Sequence, residues 1–316
     1  MKFRKLGRTG LQVSEISLGS WLTYGISTEK DTAISTIDKA YELGINFFDT
    51  ANVYAFGEAE KIVGEALRKY PRESYVLATK VFWTMGPGPN DRGLSRKHVF
   101  EQAHASLKRL GLDYVDIYYC HRYDPHTPVD ETLRTIEDLV RQGKVLYVGV
   151  SEWTAAQIQE ALQVADHYLL DRIVVNQPVY NMFNRYIEKE VMPLSSRNGI
   201  SQVVFSPLAQ GILTGKYKRG ENPPEGSRAT DPKTGQFIRN LMHEDVLEKV
   251  ERLKSVADDC QITLSQLAIA WILRQDNVAS ALVGASRPGQ IEENVKASGI
   301  RLSEDVLEQI EKILET

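Results

Sequence analysis

Asn46-Phe47-Phe48-Asp49-Thr50-Ala51-Asn52-Val53-Tyr54 decides how the chain is read. A short apolar run breaks off at an aspartate, and five residues later comes a tyrosine. Such a run reads as a buried strand whose carboxyl end faces a cleft. Two later strands close in the same way. Tyr75-Val76-Leu77-Ala78-Thr79 ends at Lys80, and Val115-Asp116-Ile117-Tyr118-Tyr119-Cys120 ends at His121. Asp49, Tyr54, Lys80 and His121 therefore leave three successive strands at one end, and the expectation is that they meet as a catalytic site.

Outward from this stretch the chain alternates strand and helix. Residues 2–14 read as a hairpin turning at Gly7-Arg8-Thr9-Gly10. Strands are expected at 16–18, up to Asp49, 75–79, 115–120, 145–150, 173–175, 203–205 and 279–283. Helices are expected at 29–43, 58–69, 95–110, 128–141, 154–165 and 187–196, then at 244–259, 263–274, 288–298 and 303–315. Repeated βα units with short connections call for parallel strands and right-handed crossovers. Eight of them, with an N-terminal β-hairpin and extra helices after strand seven and at the C-terminus, describe a (β/α)8 TIM barrel. A doubly wound sheet is the alternative, but no Gly-x-Gly-x-x-Gly follows an early strand. Gly211-Ile212-Leu213-Thr214-Gly215-Lys216 has three residues between its glycines where a phosphate loop needs four. Residues 206–243, rich in Pro and Gly, read as a long loop, either a functional lid or a disordered segment.

Composition sets the wider frame. The chain has 316 residues, 42% hydrophobic and 25% charged, which is ordinary for a globular protein. Length alone suggests about two domains, yet α/β barrels of this size fold as one, and one domain over 1–316 is expected. No apolar run reaches the roughly 18 residues of a membrane span, and the charged start Met1-Lys2-Phe3-Arg4-Lys5-Leu6 is no secretory signal. Two cysteines, Cys120 in a buried strand and Cys260, point to a reducing compartment, hence the cytoplasm. A net charge of −4 gives no reason to expect nucleic acid.

The four residues suggest carbonyl chemistry. A phenol with an ordinary pKa near 10 is a weak proton source at neutral pH, and a lysine beside it is expected to lower that value. Tyr54 then serves as general acid, Lys80 as its tuner, Asp49 as the orienting carboxylate and His121 as a donor to the substrate oxygen. A hydride donor would complete the reaction. Each residue also has a plainer reading: Asp49 as a loop cap, Tyr54 as a surface aromatic, Lys80 as half of an ion pair, His121 as a satisfied polar group. A metal site at His121 and Asp49 lacks the paired histidines such barrels carry. A Schiff-base role for Lys80 leaves Tyr54 unexplained.

Phe48-Asp49-Thr50-Ala51 with Tyr54, Gly57 and Glu58, then Thr79-Lys80 and His121-Arg122, resemble the aldo-keto reductases over nearly the whole chain. Gly149-Val150-Ser151, Ser206-Pro207-Leu208-Ala209, Gly215-Lys216-Tyr217, Leu267-Ala268-Ile269-Ala270-Trp271 and Gly284-Ala285-Ser286 resemble the branch of the voltage-gated potassium channel β subunits and their bacterial relatives. The resemblance implies a barrel that binds NADPH/NADP+ without a Rossmann fold and reduces a small-molecule aldehyde or ketone. By it, Asp49, Tyr54, Lys80 and His121 match the catalytic tetrad, and Ser20 and Trp21 the first cofactor-side loop. Ser151 and Gln177 match the holders of the nicotinamide carboxamide. Phe205, Ser206, Pro207, Leu208, Ala209 and Gly211 match the ribose and pyrophosphate segment, and Lys216 and Arg228 the covering loop. Gly284, Ser286, Gln290, Glu293 and Asn294 match the adenosine end, with Arg287 as a further clamp for a 2′-phosphate.

Two positions depart from that pattern. Glu152 stands where the family usually has Asn and the channel branch Arg. His121 stands where the channel β subunits have Asn, which favours a reductase over a cofactor-bound, redox-sensing regulatory subunit. Trp21, Tyr24, Trp83 and Tyr123 are expected to line a moderately apolar substrate pocket. Assembly as a homo-oligomer is left open by the sequence, as is the substrate.

Overall fold

The computed structural model describes residues 1–315. The chain runs β1 (Phe3–Lys5), β2 (Gln12–Ser14), β3 (Ile16–Gly19), α1 (Lys30–Glu42), β4 (Phe47–Asp49), α2 (Glu58–Leu67) and β5 (Val76–Val81). It continues through α3 (Arg96–Leu110), β6 (Val115–Cys120), α4 (Val129–Arg141), β7 (Val145–Ser151), α5 (Ala155–Tyr168), β8 (Val175–Gln177), α6 (Val191–Asn198) and β9 (Ser201–Phe205). Then come α7 (Glu244–Asp259), α8 (Leu264–Leu273), β10 (Val278–Gly284), α9 (Pro288–Asn294) and α10 (Glu304–Glu315).

Strands β3 to β10 pair in parallel, and β10 closes on β3, forming the eight-stranded barrel. The antiparallel β1–β2 hairpin stands apart. Its Leu6 and Val13 pack with Phe47, Val76, Ala78, Ile117, Tyr119, Val175 and Val203, so it plugs the N-terminal end of the barrel interior. A second, larger core lies between the strands and the surrounding helices.

The period of two along each strand decides which side chains reach the interior. Phe47, Ala78 and Tyr119 belong to the interior cluster, whereas Phe48, Leu77 and Tyr118 face the helices. Two residues beyond each interior side chain stand Asp49, Lys80 and His121. The same alternation carries Gln177 inward beyond Val175. At Gly149 the interior leaves no room for a side chain. A Cβ there would lie 2.5 Å from the Tyr119 ring and 2.9 Å from Val175 Cγ1.

Helix ends follow local chemistry. Thr154 with Gln157, and Thr263 with Gln266, form reciprocal capping boxes at the starts of α5 and α8. Gly111 and Gly199 close α3 and α6 in the left-handed conformation.

Three expectations need correction. The sixth barrel strand is Val175–Gln177 rather than 173–175. An apolar reading overlooks it because Asn176 and Gln177 are polar, Asn176 Nδ2 donating to Gln202 Oε1 on the next strand at 3.1 Å. Helix α6 starts at Val191, since residues 186–188 form a separate 3-10 turn. Residues 206–243 are neither structureless nor disordered. They fold as four short 3-10 turns, with Ile238 fully buried and Thr234 nearly so.

Candidate active site

Lys80 leaves β5 with its side chain wholly buried, and its ammonium donates to Asp49 Oδ1 on the adjacent β4. A second bond runs from Lys80 Nζ to the Thr50 carbonyl at 2.8 Å. Gln177 Nε2, from the far side of the barrel, donates to Asp49 Oδ2 at 2.8 Å. Ser151 Oγ then donates to the Gln177 carbonyl at 2.8 Å. Four strand ends are thus tied into one hydrogen-bonded floor.

Tyr54 stands over this floor. Its ring centre lies 4.9 Å from Lys80 Nζ and 5.6 Å from the His121 ring, edge to face. It opens a turn in which Ala55, Phe56 and Gly57 all have positive φ, at 48°, 52° and 92°. Two of these are not glycine, so the backbone is strained where it presents the phenol. The expected four residues therefore meet within one small space.

Electrostatics differ from the simple expectation. Burial pushes the Asp49 carboxyl up and the Lys80 ammonium down, and each one's charge opposes the shift of the other. The Tyr54 phenol is raised well above its ordinary value by burial and then by the Asp49 charge; the Arg122 cation opposes both. His121 is held well below the usual imidazole range, first by burial and then by the Lys80 and Arg122 charges. A neutral imidazole still donates one ring N–H.

The residues expected on the cofactor side lie as follows. The Ser20 N–H donates to the Asp49 carbonyl at 3.0 Å, while the Ser20 hydroxyl is buried with no partner. Trp21 meets the ring edges of Phe205 at 6.0 Å and Phe237 at 5.3 Å. Asn181 Nδ2 holds the Ser206 carbonyl at 3.0 Å, and Gln210 Nε2 donates to Ser206 Oγ at 2.5 Å. Arg228 donates to Gln210 Oε1. Ser206, Ala209 and Gly211 have positive φ, so the 206–211 backbone winds tightly past Pro207 and Leu208. The Lys216 ammonium sits 5.1 Å from the Tyr217 ring centre.

Gly284 ends β10 opposite Gly19 on β3, next to Ser20. The segment after it is self-bonded, the Ser286 N–H donating to Gln290 Oε1 at 2.8 Å. Arg287 precedes α9, Glu293 accepts at its carbonyl from Gln266, and Asn294 is buried. Lys216, Arg228 and Arg287 form no ion pair among the described residues. Cations outside any ion pair, an orphaned hydroxyl at Ser20, and open space where a Cβ would stand at Gly284 and Gly289 fit an extended anionic ligand.

The other expected residues divide. Trp83 lies against His121, ring centres 6.2 Å apart, and Tyr24 is buried. Tyr123 is turned away from the tetrad: its hydroxyl donates to Glu160 on α5 at 3.0 Å and its ring packs on Trp153. Glu152 accepts from the Val179 N–H at 2.5 Å and from the Tyr186 hydroxyl at 3.4 Å, so it braces the loop after β8. Three residues were given no site role in the sequence reading: Arg122, Asn181 and Phe237. Only Arg122 carried a signal, its position directly after His121 at a strand end.

A model of the aldo/keto reductase family matches residues 15–315. The chain belongs to the aldo/keto reductase family. All of it aligns, at 46% identity, with 97% of a probable voltage-gated potassium channel subunit beta from Arabidopsis thaliana. It is 43% identical to proteins of that description from Oryza sativa subsp. japonica, over 100% of this chain and 97% of the relative, and from Schizosaccharomyces pombe, over 99% and 93%. Membership places this aldo/keto reductase among the oxidoreductases. Among its described residues no helix is long and apolar enough to cross a membrane.

Proposed function

We propose that the protein reduces aldehydes or ketones to alcohols with NADPH. The observation that carries this reading is the convergence of Tyr54, His121 and the buried Asp49–Lys80 pair on one barrel mouth. The cofactor, when bound, supplies a hydride to the carbonyl carbon. Ser151 and Gln177 would hold its carboxamide, and Ser20, Trp21 and residues 205–211 its ribose and pyrophosphate. Lys216, Arg228, Arg287 and the 284–294 segment would hold the phosphate and adenosine end, with part of 206–243 folding over it.

The chain's own residues do the rest. Tyr54 gives its phenolic proton to the carbonyl oxygen as negative charge develops there. The raised pKa keeps this proton in place until that charge forms. His121, neutral, donates a hydrogen bond to the same oxygen and fixes its direction. Lys80 and Arg122 then face the tyrosinate with positive charge, and Asp49 holds Lys80 in register. Burial of the floor excludes water, which strengthens each of these interactions.

A second reading is a cofactor-bound regulatory subunit that senses redox state, which the relatives' description as channel subunits fits loosely. One experiment separates the two. The purified protein is titrated with NADPH and NADH by tryptophan fluorescence, and 4-nitrobenzaldehyde is then added. Oxidation of NADPH with formation of 4-nitrobenzyl alcohol is the expected result. Binding without turnover would move the assignment to the regulatory reading.

A further inference from the structure

Arg122 has more donors than the fold uses. Its Nη1 donates to the His121 carbonyl at 2.6 Å and lies 3.5 Å from Ser151 Oγ. Its Nε and Nη2 make no hydrogen bond among the described residues, and the guanidinium forms no ion pair there. The neighbouring carboxylate, Glu152, is engaged by Val179 and Tyr186 instead. The guanidinium carbon sits 5.5 Å over the ring of Trp83, which is 39% exposed and stands edge to face with His121, ring centres 6.2 Å apart. The Arg122 charge also reaches Tyr54, Lys80 and His121, the groups that surround the reacting carbonyl.

This cation stands beside the tetrad and not among the 2′-phosphate candidates, Lys216, Arg228 and Arg287. Its Nε–Nη2 edge presents two parallel donors, the fork that binds a carboxylate bidentately. Resting on the proposed carbonyl reductase activity, we infer that Arg122 is a substrate-binding residue that selects carbonyl compounds bearing a carboxylate. The carbonyl oxygen meets Tyr54 and His121 while the carboxylate meets the Arg122 edge, with Trp83 covering the link between them.

The test compares 4-carboxybenzaldehyde with its near-isosteric neutral counterpart, 4-nitrobenzaldehyde, in the NADPH-supplied enzyme. The quantity read is the ratio of their kcat/KM values, in the wild type and in Arg122→Leu. A ratio of ratios cancels the different intrinsic reactivities and any general loss of activity in the variant. Loss of a charge-assisted hydrogen bond predicts a fall of roughly tenfold or more in the ratio, with Arg122→Lys intermediate. An unchanged ratio overturns the proposal.

Should Arg122→Leu fail to fold, the wild type still decides. Added salt is expected to raise KM for the carboxylate substrate and not for the nitro compound; an equal response from both overturns the proposal. A wild type that reduces the nitro compound but shows neither effect leaves the reductase reading standing without this specificity. A wild type that reduces neither aldehyde contradicts the reductase reading, and the specificity falls with it.

Discussion

Lys80 and Asp49, on adjacent barrel strands, form an ion pair in which both side chains are completely or almost completely removed from solvent. The pair is anchored on both sides, Lys80 by the Thr50 carbonyl and Asp49 by Gln177. Two charges in such a place are tolerated only while each has its partner. Their position under Tyr54 makes the pair the base on which the proposed acid is mounted.

Removing one charge of this pair should therefore be costly. Asp49→Asn keeps the shape but leaves the Lys80 ammonium buried without its counter-charge. The expected loss is about 3 kcal/mol of unfolding free energy, limited because lysine can shed its proton instead. Urea unfolding of both proteins at neutral pH measures it. Equal midpoints and equal slopes would show that the pair contributes nothing to folding.

Acid should weaken the fold through His121. Its native pKa is depressed, so between the unfolded value near 6.5 and the native value the unfolded chain binds a proton that the native chain does not. The stability is fully present above about pH 6.5 and falls as pH drops below it, by at most about 1.4 kcal/mol per pH unit for one group. Burial also depresses His98, so the useful comparison is with His121→Gln, in which His98 is retained. The wild type should lose more stability than the variant on acidification; parallel losses would place His121 in contact with water.

Cofactor preference should depend on the cations at the rim. Lys216→Ala and Arg287→Ala are each expected to weaken NADPH by roughly ten- to a hundredfold, the range of a lost charge-assisted contact, while NADH changes little. Dissociation constants from tryptophan fluorescence give both values. An equal loss for the two nucleotides would remove these residues as 2′-phosphate contacts.

Much of the site was legible because strands alternate. Asp49, Lys80 and His121 each stand two residues beyond an interior apolar side chain, Phe47, Ala78 and Tyr119, and that spacing is visible without a structure. Gln177 was placed beyond its expected strand because that strand ends in polar residues: Asn176 pairs with Gln202 on the next strand, and Gln177 reaches Asp49. Tyr123 misled because an aromatic on a loop after a strand can turn either way, and Glu160 on α5 supplies the partner that turns it outward. Nothing in the 206–243 composition announces that Phe237 will pack on Trp21 or that Arg228 will reach Gln210. The balance at Tyr54 was hidden for a different reason. Lysine beside tyrosine suggests a lowered pKa, but burial and the Asp49 charge raise it, with Arg122 as the opposing cation.

The central claim is that Tyr54 delivers the proton to the carbonyl oxygen, and Tyr54→Phe tests it most directly. The variant keeps the ring over Lys80 and against His121 and loses only the hydroxyl. NADPH binding is measured by tryptophan fluorescence, and 4-nitrobenzaldehyde reduction by loss of the nicotinamide absorbance. A proton donor's removal is expected to lower kcat by at least about a hundredfold while the NADPH dissociation constant stays close to that of the wild type. Reduction at the wild-type rate would contradict the assignment and require the proton to come from another group.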